Sequence, residues 1–376
     1  MPRAYVLPKS KDLRKGRPIV PYWKHCLRSV YRIVGRALSY FLAGHEATGF
    51  NISRTDSYVK EVKTKQKAAI DRYGKDLRWS LAIGDIANMY TELPHASIDA
   101  AVEWGLLQPQ IRGRSTRTKL VAVHRRSRDI HMGRALGPGY AELTQKELMD
   151  VAKYDNDHMY VVIRGAVCRQ RHGAPMGSNI APAKAQMTLS KAECVTSQRA
   201  TEMNMIVIAV RFMDDVMAAA AYDATDDTSK ANADWFCAQP SRIYPHPLHL
   251  DVEPEAEQHR FLETTTSWNG RTIRVQHSNH NGAAMLAAKP LKRLNRPSPV
   301  ANLSDTEAVL GLYGELHRVS ANCTDNLAVV QAMSELWMEL HEFTWPKQWL
   351  LRALNMYMKK CTNPVWEYVY ESLGNL

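Results

Sequence analysis

Hydrophobic and polar positions change period several times along the chain. Over residues 23–42 apolar side chains recur at helical spacing, with Leu27, Val30, Tyr31, Val34, Leu38 and Phe41 on one face, and the pattern predicts an amphipathic helix. Residues 1–21 carry no helical period, and Pro8, Gly16, Pro18 and Pro21 predict extended, loop-rich chain there. Residues 78–86 read as a strand of mixed apolar character that ends at the Asp85 carboxylate. A helix is expected after Pro94, with His95 or Ser97 near its cap. Residues 159–168 alternate in the manner of a strand, residues 173–178 are turn-rich, and Pro182 suits the first turn of a helix over 183–200.

Two apolar, β-prone runs, 205–212 and 216–222, are separated by Met213, Asp214 and Asp215, which predicts a hairpin with acidic residues at its tip. An acidic loop carrying Asp223, Asp226, Asp227 and Asp234 follows. Short alternating stretches near 248–252, 260–267 and 272–276 then predict strands beside that hairpin, the last two flanking an Asn269-Gly270 turn. From Thr306 onward the period is helical, including 308–317, 327–342 and 349–358. That tail reads as a separate helical domain with Trp345, Trp349 and Trp366 in its core. No internal repeat or low-complexity tract is present.

With 376 residues and 45% hydrophobic content the chain can bury a sizeable core, and disorder is not the expectation. Lys and Arg total 49 against 38 Asp and Glu, a net charge of +11, which favours a polyanionic partner, nucleic acid ahead of an anionic membrane surface. The basic residues cluster. Arg3, Lys9, Lys11, Arg14, Lys15, Arg17, Lys24, Arg28, Arg32 and Arg36 crowd the N-terminus against a single Asp12. Arg112, Arg114, Arg117, Lys119, Arg125, Arg126, Arg128 and Arg134 form a second run that holds only Asp129. This second run reads equally as a backbone-tracking loop or as an exposed insertion. Cys26, Cys168, Cys194, Cys237, Cys323 and Cys361 form no C-x-x-C pair and no zinc-finger spacing, so they are expected to be reduced thiols of an intracellular compartment. No apolar run approaches the roughly 20 residues of a membrane span, and the N-terminus has no signal-peptide stretch, so a soluble protein is expected.

Paired carboxylates at a hairpin tip with a third at a neighbouring strand end can hold two hard cations close together, as two-metal phosphoryl transfer requires. An Asp pair at a turn tip often does no more than favour the turn. Its meaning here comes from its company. Gly84-Asp85-Ile86-Ala87-Asn88-Met89-Tyr90 with Leu93-Pro94-His95 resembles motif A of reverse transcriptases. The stretch from His172 through Gly173-Ala174-Pro175-Met176-Gly177-Ser178, with Ala181-Pro182 and Glu193, resembles motif B, and Arg211-Phe212-Met213-Asp214-Asp215 resembles motif C. Tyr5, Leu7-Pro8-Lys9, Lys11 and Arg17-Pro18-Ile19-Val20 resemble the basic fingers segment, most closely its Penelope-like version. Phe261-Leu262-Glu263 resembles the primer grip, and Gly314-Glu315-Leu316-His317-Arg318 the start of the thumb. Gln186 stands where the family usually has Asn, Glu263 where it has Asp, and Ser10 where the fingers segment has His.

The resemblance implies an α+β right-hand polymerase fold, with fingers over 1–60, palm over 61–110 and 151–288, a basic fingers insertion over 111–150 and a helical thumb over 289–376. It implies RNA-directed DNA polymerase activity with two Mg²⁺ ions, Mn²⁺ being a possible substitute, held by Asp85, Asp214, Asp215 and the Ile86 carbonyl. Lys9, Lys11 and Arg17 are then expected on the incoming triphosphate. Tyr90, Pro175, Met176 and Gly177 are expected around the nucleotide, with Tyr90 excluding a ribose 2′-hydroxyl. The expected partners are an RNA or DNA template with its primer and dNTPs, with no membrane. The alternatives are an RNA-dependent RNA polymerase and a non-catalytic RNA-binding form of the same fold. On this reading no endonuclease, RNase H or large RNA-binding extension is expected, and in this short form the chain is similar to reverse-transcriptase-like proteins of green-algal mitochondria, which would place it in the mitochondrial matrix.

Overall fold

The computed structural model describes residues 2–9, 12–44, 49–107, 120–254, 256–287, 289–291 and 304–375. The N-terminal stretch read as loop-rich is a two-stranded antiparallel ribbon, β1 (Tyr5–Lys9) and β2 (Asp12–Ile19), with Arg17 opposite Leu7. Prolines are tolerated in such a ribbon because its outer edges have no ladder to complete. The following helix starts later than its period predicts. Pro21 and His25 hold extended backbone around a single turn at Tyr22–Lys24, so α1 runs over Arg28–Ala43 and buries Tyr31, Val34, Leu38 and Phe41. Helix α2 (Thr55–Tyr73) was not foreseen. Its lysine-rich sequence buries only Tyr58, Val59, Val62 and Ala69.

Strand β3 (Leu77–Ile86) leads into the short α3 (Met89–Glu92) and then α4 (His95–Leu107), as the Pro94 signal predicts. The first half of the second basic run, Arg112, Arg114, Arg117 and Lys119, lies outside the described residues. Its second half belongs to a small sheet of β4 (Leu120–His124), β5 (Ile130–Met132) and β6 (Tyr140–Thr144), with β4 in the centre. Helix α5 (Gln145–Asp157) opens with a reciprocal Thr144 and Glu147 capping box. The strand expected over 159–168 is instead a hairpin, β7 (Tyr160–Ile163) and β8 (Ala166–Arg169). It folds back because Arg164 and Gly165 take φ of +50° and +87°, the signs of a tight two-residue turn.

Helix α6 (Ala181–Glu202) carries Pro182 in its first turn. The acidic-tipped hairpin follows as β9 (Val207–Phe212) and β10 (Asp215–Asp223). The acidic stretch after it is partly helical rather than a loop. Asp226 caps α7 (Asp227–Ala238) by accepting from the Thr228 amide at 2.9 Å, a place that suits carboxylates. Strand β11 (Leu250–Val252) joins the hairpin's sheet on the far side of β3, giving the antiparallel order β11-β3-β10-β9. The remaining predicted strands do not join that sheet. The reading over 260–267 breaks at Leu262 (φ +57°), and β12 (Gln258–Phe261), β13 (Thr264–Trp268) and β14 (Ile273–His277) form a second antiparallel sheet.

A short α8 (Gly282–Leu286) precedes the helical tail, α9 (Asp305–Ala321), α10 (Asn326–Glu342), α11 (Lys347–Met358) and α12 (Val365–Gly374). This tail has its own core, in which Trp345, Trp349 and Trp366 are buried as expected. Burying each such large apolar side chain stabilises by about 1.5–3 kcal/mol. The four-stranded sheet is covered on both faces. Tyr58, Val59 and Val62 of α2 pack under Val210 and Met217, while Phe236 of α7 packs on Ala218 and Ala220. The alanines of β10 let both helices approach closely. Among the described residues no helix is long and apolar enough to cross a membrane, and all six cysteines are free thiols.

Candidate active site

The two central strands of the four-stranded sheet bring the predicted carboxylates to one end. Asp85 of β3 stands directly opposite Asp215 of β10, and opposed residues of an antiparallel pair project to the same face with Cα atoms about 4.5–5.5 Å apart. The β9–β10 hairpin closes through Met213 and Asp214, with Phe212 and Asp215 as its last pair and Met213 at φ +59°. The tip is stapled to the end of β3 because the Ile86 amide donates to the Asp214 carbonyl at 2.8 Å. Asp85 is exposed, while Asp214 and Asp215 are half-buried. Hard carboxylate oxygens on adjacent strands fit a cation such as Mg²⁺. Among the described residues no three His, Cys, Asp or Glu side chains already form a metal cage.

Beneath the tip lies a buried cation. Arg211 is fully buried and donates to the Met213 carbonyl at 3.1 Å, to Gln186 Oε1, to Ser190 Oγ at 3.2 Å and to both oxygens of Glu193. Glu193 also accepts from the Phe50 amide at 3.0 Å and the Tyr244 hydroxyl at 3.1 Å. Burial, and then the Glu193 charge, push Tyr244 well above the usual phenol range, so it stays a donor. The arginine of motif C thus locks the hairpin tip onto the α6 residues of motif B. The Gln186 departure is accommodated by its bond to Arg211.

Tyr90 is half-buried, its hydroxyl 3.8 Å from Met213 Sδ, and Gln186 Nε2 donates to the same sulfur at 2.9 Å. Burial and then the Asp214 charge raise the Tyr90 pKa, with Arg211 offsetting part of this, and the phenol stays neutral. The motif B loop is bonded to the end of the motif A stretch. Gly173 donates to the Leu93 carbonyl at 2.7 Å, Ala174 donates to the Tyr90 carbonyl at 2.8 Å, and His95 Nε2 lies 3.1 Å from the Gly173 carbonyl. A Cβ at Gly173 (φ +79°) would fall 2.3 Å from the Tyr90 carbonyl oxygen. On the other side, the Val20 amide donates to the Met176 carbonyl at 2.8 Å, and a Cβ at Gly177 (φ +124°) would fall 2.4 Å from the Val20 carbonyl oxygen. Both positions need glycine for conformation and for space.

Backbone bonds therefore join Ile86 to Asp214, Tyr90 to Ala174 and Met176 to Val20, Asp85 and Asp215 are paired in register, and Pro175 and Gly177 lie in the same motif B loop. Arg17 is exposed on β2, the strand that leads to Val20. Lys9 lies in β1, and Lys11 lies outside the described residues. Two neighbours of the site escaped the sequence reading. Asp251 of β11 faces Asp85 from the side opposite Asp215, and His249 lies 3.2 Å from Asp251 while its carbonyl accepts from the Ala87 amide at 3.0 Å. Their only sequence signal is the alternation near 248–252. Glu263 of the primer-grip motif forms the β12–β13 turn, and its carbonyl accepts from the Ser278 amide at 2.8 Å. The adjoining His277 meets Glu315 of the thumb motif at 3.3 Å.

No family model and no curated protein matches this sequence. Solved structures do. Telomerase from Candida albicans, in complex with the TWJ fragment of telomeric RNA, matches with a TM-score of 0.62 and 11% identity over 99% of this chain and 63% of that one. Apo telomerase from Candida tropicalis matches with a TM-score of 0.57 and 9% identity over 99% and 64%. The fold is that of a reverse-transcriptase-like polymerase. The C. tropicalis enzyme with the RNA fragment gives 0.53 and 10% over 99% and 60%. The chain spans less than two thirds of the length of these telomerase chains, and at such identities the likeness is one of fold.

Proposed function

We propose that this chain is a nucleic-acid polymerase that extends a primer 3′-hydroxyl with dNTPs along an RNA template. The observation that supports it most is the opposition of Asp85 and Asp215 on the palm's central strands, with Asp214 stapled to Ile86 beside them. In this reading Asp85, Asp214, Asp215 and the Ile86 carbonyl would hold two Mg²⁺ ions, which would supply activation of the primer hydroxyl and neutralisation of the pyrophosphate charge.

The chain's own residues do the rest. Lys9, Lys11 and Arg17 offset the triphosphate charge. The neutral Tyr90 ring, held at Met213, occupies the space a ribose 2′-hydroxyl would need, and the glycines of the motif B loop let backbone approach the nascent base pair. Residues 1–60 and 111–150 act as fingers, 61–110 and 151–288 as palm and 289–376 as thumb. The Penelope-like character of the fingers segment rests on its sequence motifs.

Incorporation of dNTPs and NTPs on matched RNA and DNA templates tests the reading. Preferential dNTP incorporation on RNA is expected. A preference for NTPs would make it an RNA-dependent RNA polymerase, and nucleic-acid binding without extension by either would make it a non-catalytic RNA-binding form.

A further inference from the structure

Strand β3 is 10 residues long, and β11 covers only residues 84–86 of its outer edge. Two further bonds reach that edge. The Trp79 amide donates to the Gly270 carbonyl at 2.8 Å, and the Ile83 carbonyl accepts from the Glu253 amide at 2.8 Å. Main-chain groups of alternate residues point to the same side of a strand, so the N–H and C=O of Leu81 also point outward. Among the described residues nothing pairs with them. The unpaired stretch between the two bonds is about 14 Å long, the rise of roughly four extended residues.

A cleft of about 420 Å³ opens along this stretch. On the α7 wall Asp234 accepts from the Ser80 hydroxyl at 2.6 Å, and on the opposite wall Glu253 accepts from His259 Nδ1 at 2.9 Å. Both carboxylates are exposed, and among the described residues neither has a Lys or Arg at ion-pair distance. No described Lys or Arg lines the cleft, although the chain as a whole carries a charge of +11. The indole N–H groups of Trp79 and Trp268, in the same walls, are buried without a hydrogen-bond partner among the described residues. An open strand edge is a template for a further strand, and paired carboxylates beside it repel a phosphate backbone and suit a cationic side chain. We infer that the outer edge of β3 at Leu81 takes a short extended segment of a basic partner protein. That segment adds to the sheet through the Leu81 main chain and presents Lys or Arg to Asp234 and Glu253. The inference does not depend on catalysis.

The test uses the full-length protein with a capped, fluorescent peptide of about eight residues, alternating Val and Arg, as the probe. Anisotropy gives its affinity, and hydrogen–deuterium exchange reads the amides over residues 79–83. Wild type should bind the peptide with exchange slowed over 79–83, and Asp234→Asn/Glu253→Gln should bind it at least roughly ten-fold more weakly. No binding by wild type up to about 1 mM would overturn the inference. Binding without slowed exchange would refute the strand pairing, and undiminished affinity in the folded double variant would refute the site. Slowed exchange over 79–83 with a single-stranded RNA in place of the peptide would assign the edge to nucleic acid and overturn the inference as well.

Discussion

Arg211 carries more of the candidate site than any carboxylate does, because the tip that presents Asp214 hangs from it. It is fully buried with Glu193 as its counter-charge, and removing one partner of such a pair leaves a desolvated charge, a loss of about 3–5 kcal/mol. Glu193→Gln should lower the denaturant midpoint by that order and also weaken extension. A midpoint unchanged from wild type would mean that the pair is not what holds the tip. Tyr90→Val should raise the efficiency of ribonucleotide relative to deoxyribonucleotide incorporation by about ten-fold or more, since a pocket rejects a hydroxyl mainly by lack of room. An unchanged ratio in steady-state kinetics would remove Tyr90 from sugar selection. At this scale the sequence was legible where chemistry is local. Asp85, Tyr90, Gly177 and the Asp214–Asp215 pair sit in short motifs. Asp251 was not legible, because its place beside Asp85 is set by strand register between distant segments.

Elements were predicted best where one period ran uninterrupted and worst where backbone dihedrals decided. Strand β3, helix α6 and the β9–β10 hairpin were legible. The strand over 159–168 became a hairpin at Arg164-Gly165, and the one over 260–267 split at Leu262, because a positive φ reverses a chain that alternation alone would continue. Helix α2 was missed because few apolar residues mark its buried face. The motif B loop shows how elements are joined. Gly177→Ala would place a methyl group against the Val20 carbonyl at a left-handed φ, and a strain of about 1–3 kcal/mol is expected. Differential scanning calorimetry should show a lower melting temperature, with a raised KM for the nucleotide as the fingers ribbon shifts. His95 adds a pH dependence. Burial lowers its pKa below the ordinary 6.5, outweighing the Gly173 bond, which raises it. A lowered histidine contributes stability above its unfolded value and loses it as pH falls toward its folded value. The stability of wild type relative to His95→Gln, followed by urea unfolding, should therefore decline as pH drops from 7.5 toward 5. A flat difference would mean His95 does not titrate differently on folding.

For the whole molecule, the net charge of +11 takes on meaning once its distribution is seen. Acidic residues meet at one end of the four-stranded sheet, while arginines gather on α1 and the β4–β5 turn. The helical tail was legible as a separate body from its period, although the bounds of α12 were not given by it. The separation of β12–β14 from the sheet of the acidic hairpin was not, since it follows from long-range pairing. The central claim is that the carboxylates at the palm's edge catalyse nucleotide transfer. It is tested most directly by single-turnover extension of a labelled primer on an RNA template with dNTPs and Mg²⁺. Wild type is compared with Asp85→Asn and with Asp214→Ala/Asp215→Ala, each shown to be folded by circular dichroism. The account predicts extension by wild type and a loss of at least about a thousand-fold in both variants with template binding retained, whereas extension that survives in either folded variant would contradict it.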